Sequence, residues 1–277
     1  MVTKPSPAHP AASPRSMLPF RASELRAWLV PVLAIAGFVV LNAAGLNETL
    51  FFSINRVSTV TGETVWQWLT ILGDGLVALV LVLPFLRRRP DLVWAAVLAA
   101  VLTGLYVRAL KEPIAALRPA AVLAPERFVA IGAPLKYNSF PSGHTATIFA
   151  LAGVLSLHIA NRGAFWLLFV AASAIGLSRV AVGAHWPIDV MGGAFGGWLA
   201  ALLGTWLAAR WRWGVGASGQ RFLVTLLVLC AVGLLVWPNR DYPAAVWPQR
   251  IIAMLCLAHA FVWLRRRQRG YDPKNRS

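Results

Sequence analysis

Apolar residues in this chain run in long stretches separated by short polar and basic segments. Several of these stretches reach or approach the ~18–20 residues needed to cross hydrocarbon. The first covers residues 28–44; the second follows Trp66 and Trp68 and ends near Phe85; the third runs from about Leu92 to Tyr106. A fourth begins near Ser142, a fifth near Phe165 and a sixth near Ile188, and residues 222–236 and 251–264 supply two more. The pattern predicts an all-α, polytopic transmembrane bundle of about eight spans. Residues 47–62 are polar and amphipathic and are expected at the interface. Residues 111–139 hold several prolines and little periodicity, and read as a loop.

Composition narrows the class. Hydrophobic residues make up 58% of the 277 and charged residues only 13%, against about 25% charged in soluble domains; the mean hydropathy is +0.64. The net charge of +16 does not point to nucleic acid. The basic residues lie between apolar runs, where they report topology and contact with anionic lipid headgroups. With the N-terminus placed in the cytoplasm, the inner segments take Arg87, Arg88, Arg89, Arg162, Arg210, Arg212, Arg221 and the cluster Arg265, Arg266 and Arg267. Both termini are therefore expected inside, and the opposite face outside.

Residues 1–24 are rich in Pro, Ser and Ala and read as a disordered cytoplasmic tail. A cleaved signal peptide competes for the N-terminus, but the apolar run is longer than a signal core of about 7–15 residues. A core over 25–215 and a C-terminal transmembrane pair with a basic tail over 216–277 are expected. Cys230 and Cys256 fall in apolar stretches and read as free thiols. Trp66, Trp68, Trp186 and Trp247 fit an interfacial belt. The pattern carries no signal of oligomeric state.

Three polar clusters fall on the expected outer face. The first runs from Lys111 to Arg118-Pro119; the second is Pro141-Ser142-Gly143-His144; the third is Ser178-Arg179, His185 and Asp189. Pro141 suits the first position of a helix, which would place Ser142, Gly143 and His144 in a first turn whose free N–H groups bind anions. Pro187 marks the next helix start, so His185 precedes it and Asp189 in the first turn can reach back to one imidazole nitrogen. That leaves the other nitrogen unprotonated and directed outward, as a nucleophile requires. Lys111, Arg118 and Arg179 add fixed positive charge. Taken alone, His144 would read as a capping histidine and the arginines as interfacial anchors. Together they form a site for a tetrahedral oxyanion, and no carboxylate cluster calls for a metal or other cofactor. Asp74, inside the second span, is costly there and is expected either to support the site or to lie near the interface.

The ordered set K-x6-RP, PSGH and SR-x5-H-x3-D resembles the signature of the type 2 phosphatidic acid phosphatase (PAP2) superfamily, without substitution, over roughly residues 28–210. The last two spans fall outside its six-span core. The resemblance implies a membrane lipid phosphatase with His185 as nucleophile, Asp189 orienting it and His144 as the acid for the leaving group. Lys111, Arg118, Ser142, Gly143 and Arg179 would cradle phosphate, with Pro119, Pro141 and Ser178 supporting backbone shape. The expected substrate is a lipid phosphomonoester or pyrophosphate: undecaprenyl diphosphate, phosphatidate, phosphatidylglycerophosphate or a lipid A phosphate. A lipid phosphotransferase sharing the phosphohistidine step, and a non-catalytic lipid binder, remain open. A haloperoxidase fits less well, because those relatives are soluble.

Overall fold

A computed structural model describes residues 25–159, 161–237 and 239–269. The expected N-terminal tail, the end of the basic C-terminal tail and the side chains of Arg265, Arg266 and Arg267 lie outside the described residues. Among the described residues the secondary structure is helical. The order is α1 (Leu25–Ala43), α2 (Asn47–Thr61), α3 (Glu63–Ile71), α4 (Gly75–Val82), α5 (Pro90–Ile114) and the short α6 (Pro119–Val122). It continues with α7 (Gly143–His158), α8 (Arg162–Ala181), α9 (Pro187–Arg210), α10 (Ala217–Val236) and α11 (Val246–Arg269).

Each expected apolar segment is helical, because a chain in hydrocarbon must satisfy its backbone polar groups within the segment. Among the described residues, six helical stretches are long and apolar enough to cross a membrane: Arg26–Ala43, Pro90–Val122, Arg162–Ala181, Pro187–Arg210, Ala217–Val236 and Pro243–Val262. The protein is a multi-pass membrane protein. Large apolar side chains such as Val32, Leu105, Leu167 and Leu229 are exposed on its outer faces, where lipid rather than water meets them.

Two expected spans differ in detail. The second is broken: α3 and the helix that follows meet at 60°. Asp74 causes the restart, because its carboxylate accepts from the amides of Leu76 at 2.9 Å and Val77 at 3.3 Å and so caps α4. The fourth span, α7, has 16 residues, or about 24 Å of helix at 1.5 Å per residue. That is short of the ~30 Å hydrocarbon core.

Close helix packing sets the frame, and α9 is its centre, in contact with α1, α5 and α7. Gly193 and Gly197 face α7: a Cβ at Gly193 would sit 2.6 Å from the Ser142 carbonyl, and one at Gly197 would collide with the Ala146 carbonyl. One residue round the helix, Gly196 admits the Tyr106 ring of α5, whose hydroxyl donates to the Gly192 carbonyl at 2.9 Å. Small residues that let backbones approach are what holds helices together where lipid offers no hydrophobic drive. On the remaining face, the buried Trp198 indole donates to the Ala27 carbonyl of α1 at 2.8 Å. Helices α10 and α11 pack on each other and on α4.

Candidate active site

The three clusters converge at one end of the bundle, built from the C-terminal ends of α5 and α8 and the N-terminal ends of α7 and α9. The chain leaves α8 through Val182 and Gly183, whose φ of 75° is a left-handed conformation that favours glycine. That turn lets the amides of Ala184 and His185 both donate to the Arg179 carbonyl at 3.1 Å. His185 is thereby folded back over the end of α8 just before Pro187 begins α9.

His185 is buried, and Asp189 beside it is too. Asp189 Oδ2 lies 3.2 Å from His185 Nδ1, accepts the Trp186 amide at 2.8 Å and accepts the Ser139 hydroxyl. Arg118 Nη1 lies 3.4 Å from His185 Nε2. A guanidinium has only donors, so the contact suits the tautomer with Nε2 accepting and the ring proton on Nδ1, donated to Asp189. The imidazole is thus neutral, with its Nε2 lone pair directed at the cationic side of the site. Burial pushes the His185 pKa well below 6.5, and the charges of Arg118, Arg179 and Lys111 push it further down.

The cations are held by neutral oxygens. Arg118 is buried; its Nε donates to the Tyr137 carbonyl at 2.9 Å and its Nη1 to the Ala184 carbonyl at 3.0 Å, with Asn138 O at 3.4 Å from Nη2. Arg179, also buried, donates from Nη1 to the Thr70 hydroxyl at 2.6 Å and the Tyr242 hydroxyl at 2.8 Å. His144 lies in the field of Arg179, His185, Lys111 and Arg118. Its Nε2 is buried and without a hydrogen-bond partner among the described residues. Most buried polar atoms in folded proteins have a partner in protein, water or a bound group.

Several expected positions shift. Helix α7 begins at Gly143 with Ser142 as its N-cap, and Pro141 stands one residue before the cap instead of at the first helical position. Ser142 Oγ accepts from the Thr145 amide at 3.4 Å and from its hydroxyl at 2.9 Å, so it remains able to donate its own proton. Lys111 is not in a loop: α5 continues to Ile114 and carries it in the last turn. Asp74 makes no hydrogen bond to a site group in the structure; it caps α4, and its neighbour Gly73 brings that end close to His144, with a Cβ there 3.0 Å from His144 Cβ. Ser178 donates to the Ile175 carbonyl at 2.6 Å, and Pro119 opens α6 directly after Arg118.

Sequence reasoning missed Ser139, Thr70 and Tyr242, and it missed the Tyr137, Asn138 and Ala184 carbonyls around Arg118. Ser139 could have been suspected from its place beside the second cluster. Thr70 sits in an apolar run and Tyr242 beyond the core, and neither carries a local signal.

A cavity of about 790 Å³ opens beside the site between α4, α5 and α7. Its polar lining includes Arg108, Lys111, Glu112, Asn138 and His144, while Ala78, Ala96, Ala100, Gly104 and Leu151 are part of its apolar lining.

Residues 92–213 match the PAP2 superfamily. The undecaprenyl-diphosphatase of Sulfolobus acidocaldarius is 33% identical over 180 residues, covering 59% of this chain and 76% of that protein. The chain belongs to the PAP2 superfamily. Its fold also resembles the crystal structure of Aquifex aeolicus LpxE, with a TM-score of 0.52 and 32% identity over 57% of this chain and 94% of that one. Two further relatives match over 73 residues, 26% of this chain: the bacitracin transport permease protein BcrC of Bacillus licheniformis at 42% identity and the lipid A 1-phosphatase of Porphyromonas gingivalis at 41%. The chain spans only 35% and 16% of the length of those two proteins. The PAP2 match ends at residue 213, before α10, so the C-terminal pair and Tyr242 lie beyond it.

Proposed function

We propose that this chain is an integral membrane lipid phosphatase that hydrolyses a lipid phosphomonoester or pyrophosphate without a metal. The observation that carries the reading is the His185 imidazole, with Nδ1 held by Asp189 and Nε2 facing the Arg118 side of a buried cationic site. His185 Nε2 attacks phosphorus in line, the bond to the lipid oxygen breaks, and His144 gives that oxygen its proton. The resulting phosphohistidine is hydrolysed by a water whose proton returns to His144. Arg118, Arg179, Lys111 and the α7 N-terminus at Ser142 and Gly143 hold the phosphoryl oxygens, on which charge develops in the transition state. One carboxylate among three cations is a donor set that repels a divalent cation rather than collecting one.

The apolar cavity that opens from Lys111 and His144 suits the chain of a membrane lipid. Similarity to relatives named undecaprenyl-diphosphatase and lipid A 1-phosphatase supports undecaprenyl diphosphate and lipid A as the substrates to test first. Arg89, Arg162, Arg210 and Arg221 mark the opposite end of the bundle. That asymmetry supports a bacterial inner-membrane protein with both termini in the cytoplasm and the site facing the periplasm.

Phosphate release by the full chain in detergent, with EDTA, across undecaprenyl diphosphate, phosphatidate, phosphatidylglycerophosphate and lipid A tests this directly. The expected result is release that survives EDTA and is lost in His185→Ala. Transfer of phosphate to a second lipid, with none freed to water, would replace the hydrolase with a phosphotransferase.

A further inference from the structure

We propose that Tyr242 is a positioning residue for Arg179, so that the loop between α10 and α11 completes the anion site. The inference rests on the phosphate-binding reading of Arg179 and goes beyond it, because Tyr242 lies past residue 213, where the PAP2 match ends.

Arg179 is 4% exposed, and among the described residues no carboxylate pairs with it. Its Nη1 carries two protons. One goes to the Thr70 hydroxyl at 2.6 Å and the other to the Tyr242 hydroxyl at 2.8 Å. Its Nε is buried with no hydrogen-bond partner among the described residues. The guanidinium carbon lies 5.7 Å from the Tyr242 ring centroid, so the ring also flanks the charge. Taking both Nη1 protons leaves the Nε–Nη2 edge, and that edge has the fork geometry that meets two phosphate oxygens at once. A guanidinium free to rotate would have to be ordered at each binding event; one gripped at Nη1 is ordered beforehand.

Tyr242 is itself fixed from three sides. Asn239 Oδ1 accepts the amides of Asp241 and Tyr242 at 3.0 and 3.2 Å, and the Asn239 amide donates to Gln249 of α11 at 3.3 Å. Two residues on, Ala244 is held by α3: its amide donates to Gln67 at 2.9 Å and its carbonyl accepts from Trp68 at 2.9 Å. Gly132, at φ 91°, lets the preceding loop close over this segment; a Cβ there would lie 2.7 Å from the Asp241 carbonyl and 2.9 Å from the Tyr242 ring. The break after α3 and the C-terminal pair therefore converge on one guanidinium. A buried arginine braced only for packing would need neither two hydroxyls on one nitrogen nor an unpartnered Nε.

The test uses the full chain in detergent and compares wild type, Tyr242→Phe, Arg179→Lys and the double variant. Orthovanadate binding is read by thermal shift, and kcat/KM is read on the preferred lipid. Tyr242→Phe keeps the ring and removes one charge-assisted hydrogen bond, so roughly a tenfold loss of orthovanadate affinity and of kcat/KM is expected. On the Arg179→Lys background the same change should cost nothing further, because lysine has no Nη1 for the hydroxyl to hold. Thr70→Val, which removes the other bond to Nη1, should reproduce the loss and serves if Tyr242→Phe does not fold. Unchanged orthovanadate affinity in the folded variants, or losses that multiply in the double variant, would overturn the inference. Tyrosine-dependent orthovanadate binding with no lipid dephosphorylated would leave it standing and sink the phosphatase reading instead. A wild type that does not bind orthovanadate overturns it outright.

Discussion

The two ends of the bundle carry the same residue types and use them differently. At the basic end, Arg89 donates to both oxygens of Asp91, at 3.3 and 3.1 Å, and to the His158 carbonyl at 3.3 Å. His158 turns Nδ1 to the Val154 carbonyl at 2.8 Å and sits 3.9 Å from Asp91. The Arg89–Asp91 pair is 41% and 48% exposed, so solvent screens it and it braces the start of α5 at low cost. At the other end, Arg118 and Arg179 are buried, and among the described residues their hydrogen-bond partners are carbonyls, hydroxyls and an imidazole. Asp189, the carboxylate beside His185, is taken by Ser139, the Trp186 amide and His185. Positive charge is thus left over in a place where it is expensive. A protein keeps such a surplus where an anion arrives to neutralise it. Arg, His and Asp at helix ends therefore do not mark a site; unmatched charge does.

Removing one of the buried cations should break the contrast most sharply. Arg118→Gln is expected to lower kcat/KM for lipid dephosphorylation by roughly 100- to 1,000-fold, the scale of losing one preorganised donor to a developing oxyanion. A loss below tenfold in folded protein would remove Arg118 from the phosphate cradle. The pH profile sharpens the same point. In the proposed mechanism His185 attacks as the neutral imidazole, and burial together with the surrounding cations holds its pKa well below 6.5. The acid limb of kcat/KM should therefore fall below pH 6.5. Arg118→Gln removes a positive charge, which raises that pKa, so the limb should move to higher pH in the variant. A limb that stays in place would mean it reports another group. The smallest effect is expected at the basic end. Asp91→Asn should change unfolding free energy by about 0.2–1 kcal/mol and leave phosphate release unaltered; a large fall in activity there would erase the distinction between the two ends.

How far the chain could be read depended on how local each feature was. Helix α9 starts at Pro187, as its sequence predicts, and Asp189 reaches His185 because four residues across a helix start is a local distance. Lys111 was misplaced because apolarity marks the membrane and not the helix, and α5 runs on into polar residues to Ile114. Asp74 looked like a buried acid near the site because the break in its span is set by capping, which hydropathy does not show. Ser142 was moved by one position for the same reason, since a serine caps better than it extends a helix.

The sequence alone determined that this is a polytopic helical membrane protein with a cationic, histidine-bearing site at one end. Hydrocarbon forces each apolar stretch to close its own hydrogen bonds, and the three motifs order themselves along the chain. Only the tertiary structure decided which groups grip those cations. Ser139 meets Asp189 across 50 residues, Tyr242 meets Arg179 across 63, and Thr70 meets Arg179 across 109. The Ser139–Asp189 contact is made where Gly193 and Gly197 bring α9 against α7 at backbone distance, while Arg179 meets Thr70 and Tyr242 where α8 packs beside α3 and the loop after α10. A sequence shows the glycines, but which face each one gives to which helix is settled only when the helices pack.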